Sequence, residues 1–160
     1  MKTKTKLLIL WIPAFIWLAV IFIVGSTEID YLGGKANFIT RVLMQLKAYL
    51  FSMHTPFAKF IAKNIDKFYH AFEYLVFTIL LYPPLSKSVE KSKVKQILLS
   101  AVIVSGVAVA DELHQIFVPS RYCSFTDFLA DAVGMLIAQA IILSIYYLRR
   151  KNGLSGNQGN

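Results

Sequence analysis

Two stretches of the chain hold side chains that can move protons, bind a cation or grip an anion. In DKFYHAFEY, residues 66 to 74, Asp66, His70, Glu73 and Tyr74 fall at intervals of four, three and one, followed by Phe77 three residues on, so they share one side of a helix. In DELHQIFVPSR, residues 111 to 121, Asp111, His114 and Gln115 share a side by the same spacing, with Glu112 turned about 100° away from Asp111. Arg121, Ser124, Asp127 and Asp131 follow within a few turns. Imidazole and carboxylate groups exchange protons near neutral pH, which makes His70, Asp111, His114 and Asp127 the candidates for acid–base work. The same four are the candidate ligands for a divalent metal such as zinc or manganese, although they sit on different helices; Glu73, Glu112 or Asp131 could complete the shell or pair with Arg121. Glu73, Glu112, Gln115, Arg121, Ser124 and Asp131 are the candidate substrate-binding groups, with Arg121 able to hold a phosphate through its planar fork.

The elements that must position these groups are membrane helices. Of the 160 residues 56% are hydrophobic and 16% charged, a balance too apolar for a soluble domain of this size. Leu7 to Val24 and Ala132 to Leu148 carry no charge at all, and each comes close to crossing roughly 30 Å of hydrocarbon at about 1.5 Å per residue. The reading is an all-α membrane protein with four transmembrane helices, at about residues 7–24, 68–85, 96–118 and 125–148. Between the first and second, Ile39, Val42, Leu43, Leu46 and Leu50 recur at helical spacing, and Thr55 with Pro56 is a helix-start signal. These predict two interfacial helices, at about 37–51 and 56–65, that cover the bundle or form a lid over it. Residues 1–151 form one membrane domain, and 152–160 are expected as a disordered tail.

Lys2, Lys4 and Lys6 precede the first span, Lys87, Lys91, Lys93 and Lys95 separate the second from the third, and Arg149, Arg150 and Lys151 follow the fourth. That alternation places both termini in the cytoplasm. The net charge of +8 is then a topological signal with some attraction to anionic lipid, and it calls for no nucleic acid. The single cysteine, Cys123, excludes an intramolecular disulfide and falls outside the membrane. His54 stands alone in the outer segment and reads as structural.

With this topology every intramembrane ionisable group falls at one membrane face. Asp127, Ala130, Asp131, Gly134 and Ala138 form a stripe whose small residues let helices approach closely, which turns both aspartates toward the bundle. A carboxylate facing hydrocarbon would instead cost on the order of 2.5 to 3.5 kcal/mol. Singly, each group has a plain structural role open to it: Ser124 as a helix cap, Asp127 at a helix N-terminus, Arg121 on lipid headgroups. Agreement across three helices points to a site.

These two stretches together closely resemble the VanZ-like membrane proteins of bacteria. The matching positions are Asp66, Lys67, His70 and Tyr74, then Asp111, Glu112, His114, Gln115, Pro119, Arg121, Asp127 and Gly134. Two positions depart from the pattern: Ser120 stands where glycine is common, and Asp131 where asparagine is expected. The resemblance implies a multi-pass cell-membrane protein in a family named for low-level resistance to teicoplanin, a glycopeptide with a lipid tail. Three activities fit such a site: an enzyme acting on a lipid-linked or phosphate-bearing amphiphile, a metal- or amphiphile-binding protein without turnover, and a small transporter or envelope interaction partner. No HExxH and no phosphate-cradling glycine loop is present.

Overall fold

The computed structural model describes residues 3–26, 38–89, 92–119 and 121–155. Six α-helices account for them: α1 (Thr3–Gly25), α2 (Phe38–Ser52), α3 (Pro56–Lys63), α4 (Ile65–Ser88), α5 (Lys93–Gln115) and α6 (Phe125–Ser155). Among the described residues there is no strand.

The helix starts follow the sequence signals. Thr55 accepts from the Ala58 amide at 3.1 Å with Pro56 in the first turn of α3, and Ser124 accepts from the Asp127 amide at 3.3 Å at the start of α6. His54, in the left-handed region at φ 56°, turns the chain between α2 and α3. Asn64 separates α3 from α4, so the predicted interfacial helix over 56–65 divides there. Residue 37, where the first interfacial helix was expected to begin, lies outside the described residues. At the other end α6 continues helically to Ser155, past the expected start of the tail; residues 156–160 lie outside the described residues.

The expectation of four membrane-crossing helices is corrected to three. Thr5–Gly25, Lys93–Gln115 and Phe125–Asn152 are long and apolar enough to cross a membrane. At 24 residues α4 has the length but not the apolarity, because Asp66, Lys67, His70, Glu73 and Lys87 lie within it together with Pro83 and Pro84. Ionisable groups on that scale suit a helix enclosed by protein. Accordingly α4 packs most extensively against α6, and also against α1 and α5.

Four helix ends meet at one end of the bundle: the C-termini of α1 and α5 and the N-termini of α4 and α6. Ser26 reaches His114, Lys67 reaches Asp127, and Glu112 reaches Ser124. So α4 runs parallel to α6, and α1 and α5 run the opposite way. The apolar centre lies below this end, built from Ile21, Tyr74, Phe77, Leu81, Val104, Ala108 and Met135. Trp17 pins α1 to α4 by donating its indole N–H to the Glu73 carbonyl at 2.9 Å.

Gly134 sets how closely α4 and α6 approach. A Cβ there would stand 2.8 Å from the carbonyl carbon and 3.0 Å from the Cα of Ala71, with the carbonyl oxygen nearer still. Ala138, one turn further along the stripe, is fully buried. The small residues thus do what their spacing suggests, bringing two backbones together.

A second polar knot holds the opposite end. Lys93 donates to both the Tyr82 hydroxyl and the Gln96 amide oxygen at 3.0 Å, and its ammonium lies 4.9 Å from the centre of the Tyr146 ring. This knot links α4, α5 and α6 beside the basic residues Lys87, Lys95, Arg149, Arg150 and Lys151.

Candidate functional site

Between one and two turns in from the four converging helix ends, the bundle buries acids and a histidine in place of hydrocarbon. His70 on α4 donates from Nδ1 to Asp131 Oδ1 on α6 at 3.0 Å. An ionised Asp131 can only accept in this contact, which places a proton on Nδ1. His70 Nε2 lies 4.0 Å from Asp127 Oδ2. Lys67, one turn above His70, bridges Asp66 at 2.8 Å and Asp127 across the α4–α6 interface. At the exposed tip of α4, partial burial raises the Asp66 carboxyl but the adjacent Lys67 ammonium outweighs it, leaving the group below its ordinary value.

On α5, adjacent residues serve different neighbours. Asp111 turns toward α1, where the missing side chain of Gly25 makes room; a Cβ on Gly25 would stand 2.8 Å from Asp111 Oδ1. Its other oxygen, Oδ2, accepts from the Gln115 amide at 3.1 Å. Glu112 turns toward α6, where its Oε2 accepts from the Ser124 backbone N–H at 2.6 Å. The Glu112 contact and the Ser124 hydroxyl together satisfy donors at the start of α6 that the helix itself leaves open. On α4, Glu73 accepts from the Tyr69 hydroxyl at 2.9 Å.

His70, Asp111, Glu112 and Asp131 are exposed by 6%, 1%, 3% and 1%. Asp111 Oδ1, Glu112 Oε1, Asp131 Oδ2 and the Tyr74 hydroxyl are buried with no hydrogen-bond partner. Buried polar atoms are nearly always paired, so four orphans in one cluster mark it as unlike ordinary packing. One ligand-type atom from each of His70, Asp111 and Glu112 lies within 4.8 Å of the other two, the one such group among the described residues.

The structure therefore gathers His70, Glu73, Asp111, Glu112, Gln115, Asp127 and Asp131, together with Ser124, at one end of the bundle. His114 is also at this end but stands aside from the cluster. Its Nε2 lies 2.8 Å from Ser26 Oγ, and its ring packs edge-on against Phe22. Arg121 sits half-buried on the turn with a guanidinium nitrogen 3.4 Å from the Val24 carbonyl, within electrostatic reach of Tyr69 and Asp111. Of the four candidate metal ligands, His70 and Asp111 belong to the close group; His114 and Asp127 are replaced there by Glu112. Tyr69, Lys67 and the Gly25 notch were not among the sequence candidates. Lys67 and Tyr69 lie inside DKFYHAFEY, so their proximity to the acids was the available signal.

Beside the cluster, α5 and α6 leave a cleft of about 310 Å³ lined by Val109, Leu113, Cys123, Phe125 and Phe128, with Glu112 and Ser124 on its wall. Its mouth opens to the outside of the bundle, where Leu113 and Phe125 are exposed.

Fold and site together define an all-helical protein, with three helices fit to cross a membrane, that encloses a polar cluster of histidine and acids at one end. The chain belongs to the VanZ/LLP1 family, whose model matches residues 10–147. No curated protein and no solved structure shows a significant match to it.

Proposed function

We propose that this protein works in the bacterial cell envelope by binding the polar head of an amphiphile at the His70–Asp111–Glu112–Asp131 cluster, with the apolar tail lying in the cleft between α5 and α6. The observation that carries this reading is the cleft itself: an apolar trough, open sideways, whose wall includes two residues of the buried polar cluster. A lipid-tailed glycopeptide such as teicoplanin and a lipid-linked envelope precursor both have that form. Arg121, on the α5–α6 turn within electrostatic reach of Asp111, is suited to the anionic part of such a head.

In this proposal the cluster faces the outer leaflet. Support comes from the opposite end of the helices, where Lys6, Lys87, Lys93, Lys95, Arg149, Arg150 and Lys151 collect, as cytoplasmic ends do. Exposed Phe117, Tyr122 and Phe125 on the α5–α6 turn, and Phe57 and Phe60 on α3, suit the headgroup layer. The amphipathic α2 and α3 would lie in that same layer. Cys123 is exposed on the turn, so a membrane-impermeant maleimide is expected to label it in intact cells. Labelling only after permeabilisation would reverse the orientation.

The function is tested by expressing the protein in a susceptible bacterium and comparing teicoplanin sensitivity between the parent, Leu113→Trp, which fills the cleft, and Arg121→Ala, at matched membrane abundance. A glycopeptide lacking a lipid tail serves as the control. The expected result is that the parent shifts teicoplanin sensitivity, that both variants lose at least half of that shift, and that the control drug is unaffected. Equal sensitivity with parent, variants and empty vector at full abundance would refute the proposal.

A further inference from the structure

We propose that His70, Asp111 and Glu112 bind one divalent transition-metal cation, and that Asp131 orients the His70 ring for it. The inference rests on reading the same cluster as a headgroup site and adds the ion that would let an acidic site accept a phosphate-bearing head.

Three lines of geometry converge. The first is donor placement: an imidazole nitrogen and two carboxylate oxygens, from α4 and α5, lie within 4.8 Å of one another. Ligands of a tetrahedral zinc ion, each about 2.0–2.2 Å from it, stand about 3.4 Å apart, so side-chain shifts of about 1 Å close the shell. The second is the orphaned atoms. Asp111 Oδ1 and Glu112 Oε1 are buried without a partner, while the other oxygen of each acid is already used, by Gln115 and by the Ser124 amide. Each acid thus holds back one oxygen and is fixed by the other. The third is the His70–Asp131 pair, in which the carboxylate accepts a hydrogen bond from Nδ1 and so leaves Nε2 available as the ligating atom. Metal-bound histidines are commonly oriented by an outer carboxylate in this way.

Charge balance points the same way. Lys67 is engaged by Asp66 and Asp127, so among the described residues the four acids Glu73, Asp111, Glu112 and Asp131 face fewer cationic groups, His70 with Arg121 and Lys67 at longer range. An anionic head would be repelled by that surplus of carboxylates unless a cation stood between them. One nitrogen and two oxygens suit Zn²⁺ or Mn²⁺ better than the all-oxygen ions Mg²⁺ and Ca²⁺. Gly25 has a place in this arrangement, since its missing Cβ leaves Asp111 Oδ1 unobstructed.

The test uses the full chain purified in nanodiscs, stripped with a chelator and dialysed against Zn²⁺, with metal measured by elemental analysis and the zinc shell by X-ray absorption. The expected result is one zinc per chain in an oxygen-rich shell containing one imidazole. Asp111→Asn and Glu112→Gln are each expected to weaken binding more than tenfold. Asp131→Asn and Gly25→Ala should weaken it about tenfold, the size of effect that outer-shell changes produce. Mn²⁺ should compete for the site. Absence of stoichiometric zinc in the folded parent chain, a shell without imidazole, or unchanged affinity in both Asp111→Asn and Glu112→Gln would overturn the proposal. The spectrum of the parent chain decides the matter even if a variant misfolds. A folded parent without zinc that still shifts teicoplanin sensitivity removes the metal and leaves the headgroup site. Tight zinc binding with no effect on sensitivity removes the headgroup reading and leaves the metal.

Discussion

Gly134→Leu is expected to abolish the native packing of α4 on α6, and even Gly134→Ala should cost about 3 kcal/mol, the upper end of the usual overpacking range. The atoms that a new Cβ would meet belong to the backbone of Ala71, the carbonyl carbon at 2.8 Å and Cα at 3.0 Å. No rotamer change relieves contact with a carbonyl group, so the helices must separate. Separation would open the His70–Asp131 and Lys67–Asp127 contacts, which bridge the same two helices within two turns. Denaturant unfolding in mixed micelles, with membrane abundance alongside, measures the effect. A Gly134→Leu chain as stable as the parent would mean that α4 and α6 are not in backbone contact at Ala71.

His70→Ala is expected to cost about 3 to 5 kcal/mol, because it leaves the Asp131 carboxylate buried without its partner. The pair is shielded, with side-chain exposures of 7% and 1%, and its 3.0 Å contact is undiluted by solvent. Asp131→Asn keeps an oxygen acceptor for the Nδ1 proton and removes the charge, so it should cost less than about 1 kcal/mol. It also restores the residue that VanZ-like sequences lead one to expect there. His70→Leu combined with Asp131→Leu should recover most of the loss, since replacing both members of a buried pair by apolar groups is often near neutral. The cycle, closed by the His70→Leu and Asp131→Leu singles, is read by unfolding free energies, and strict additivity of those two changes would show that the pair is not coupled.

The architecture was legible in the sequence where a residue's local pattern decides the outcome. Uncharged runs marked the spans, Thr55-Pro56 and Ser124 marked helix starts, and the stripe from Asp127 to Ala138 marked the close face of α6. The number of spans was overcounted because length was weighed above polarity in α4. That helix tolerates His70 and Glu73 because both face neighbouring helices, while Asp66 and Lys67 sit at its tip, and no single segment reveals what its faces meet. Spacing along each helix picks out the polar residues that α4 and α6 bring together. Glu112 was the instructive case: about 100° from Asp111 on the helix wheel, it was set apart from Asp111, His114 and Gln115. A helix packed between two partners has two inward faces, and α5 offers Asp111 to Gly25 on α1 and Glu112 to Ser124 on α6. His114 shares the face of Asp111 but lies nearly a turn nearer the helix end, which is enough to hand it to Ser26. Contacts across helices, such as Lys67 with Asp127, depend on register between segments and leave no trace in spacing along either one.

At 31 residues, α6 is the longest helix, about 46 Å end to end against roughly 30 Å of hydrocarbon. Asp131 and Arg149 lie on this single rod about 27 Å apart along its axis. The rod is a ruler: with Arg149, Arg150 and Lys151 floated among the headgroups of one leaflet, it sets the depth of the histidine and acids beneath the other. A thinner bilayer would wet them and a thicker one would submerge them, unless the rod tilts to compensate. In the proposed placement, lipid chain length in the host membrane would act as a dial on how much water reaches the cluster.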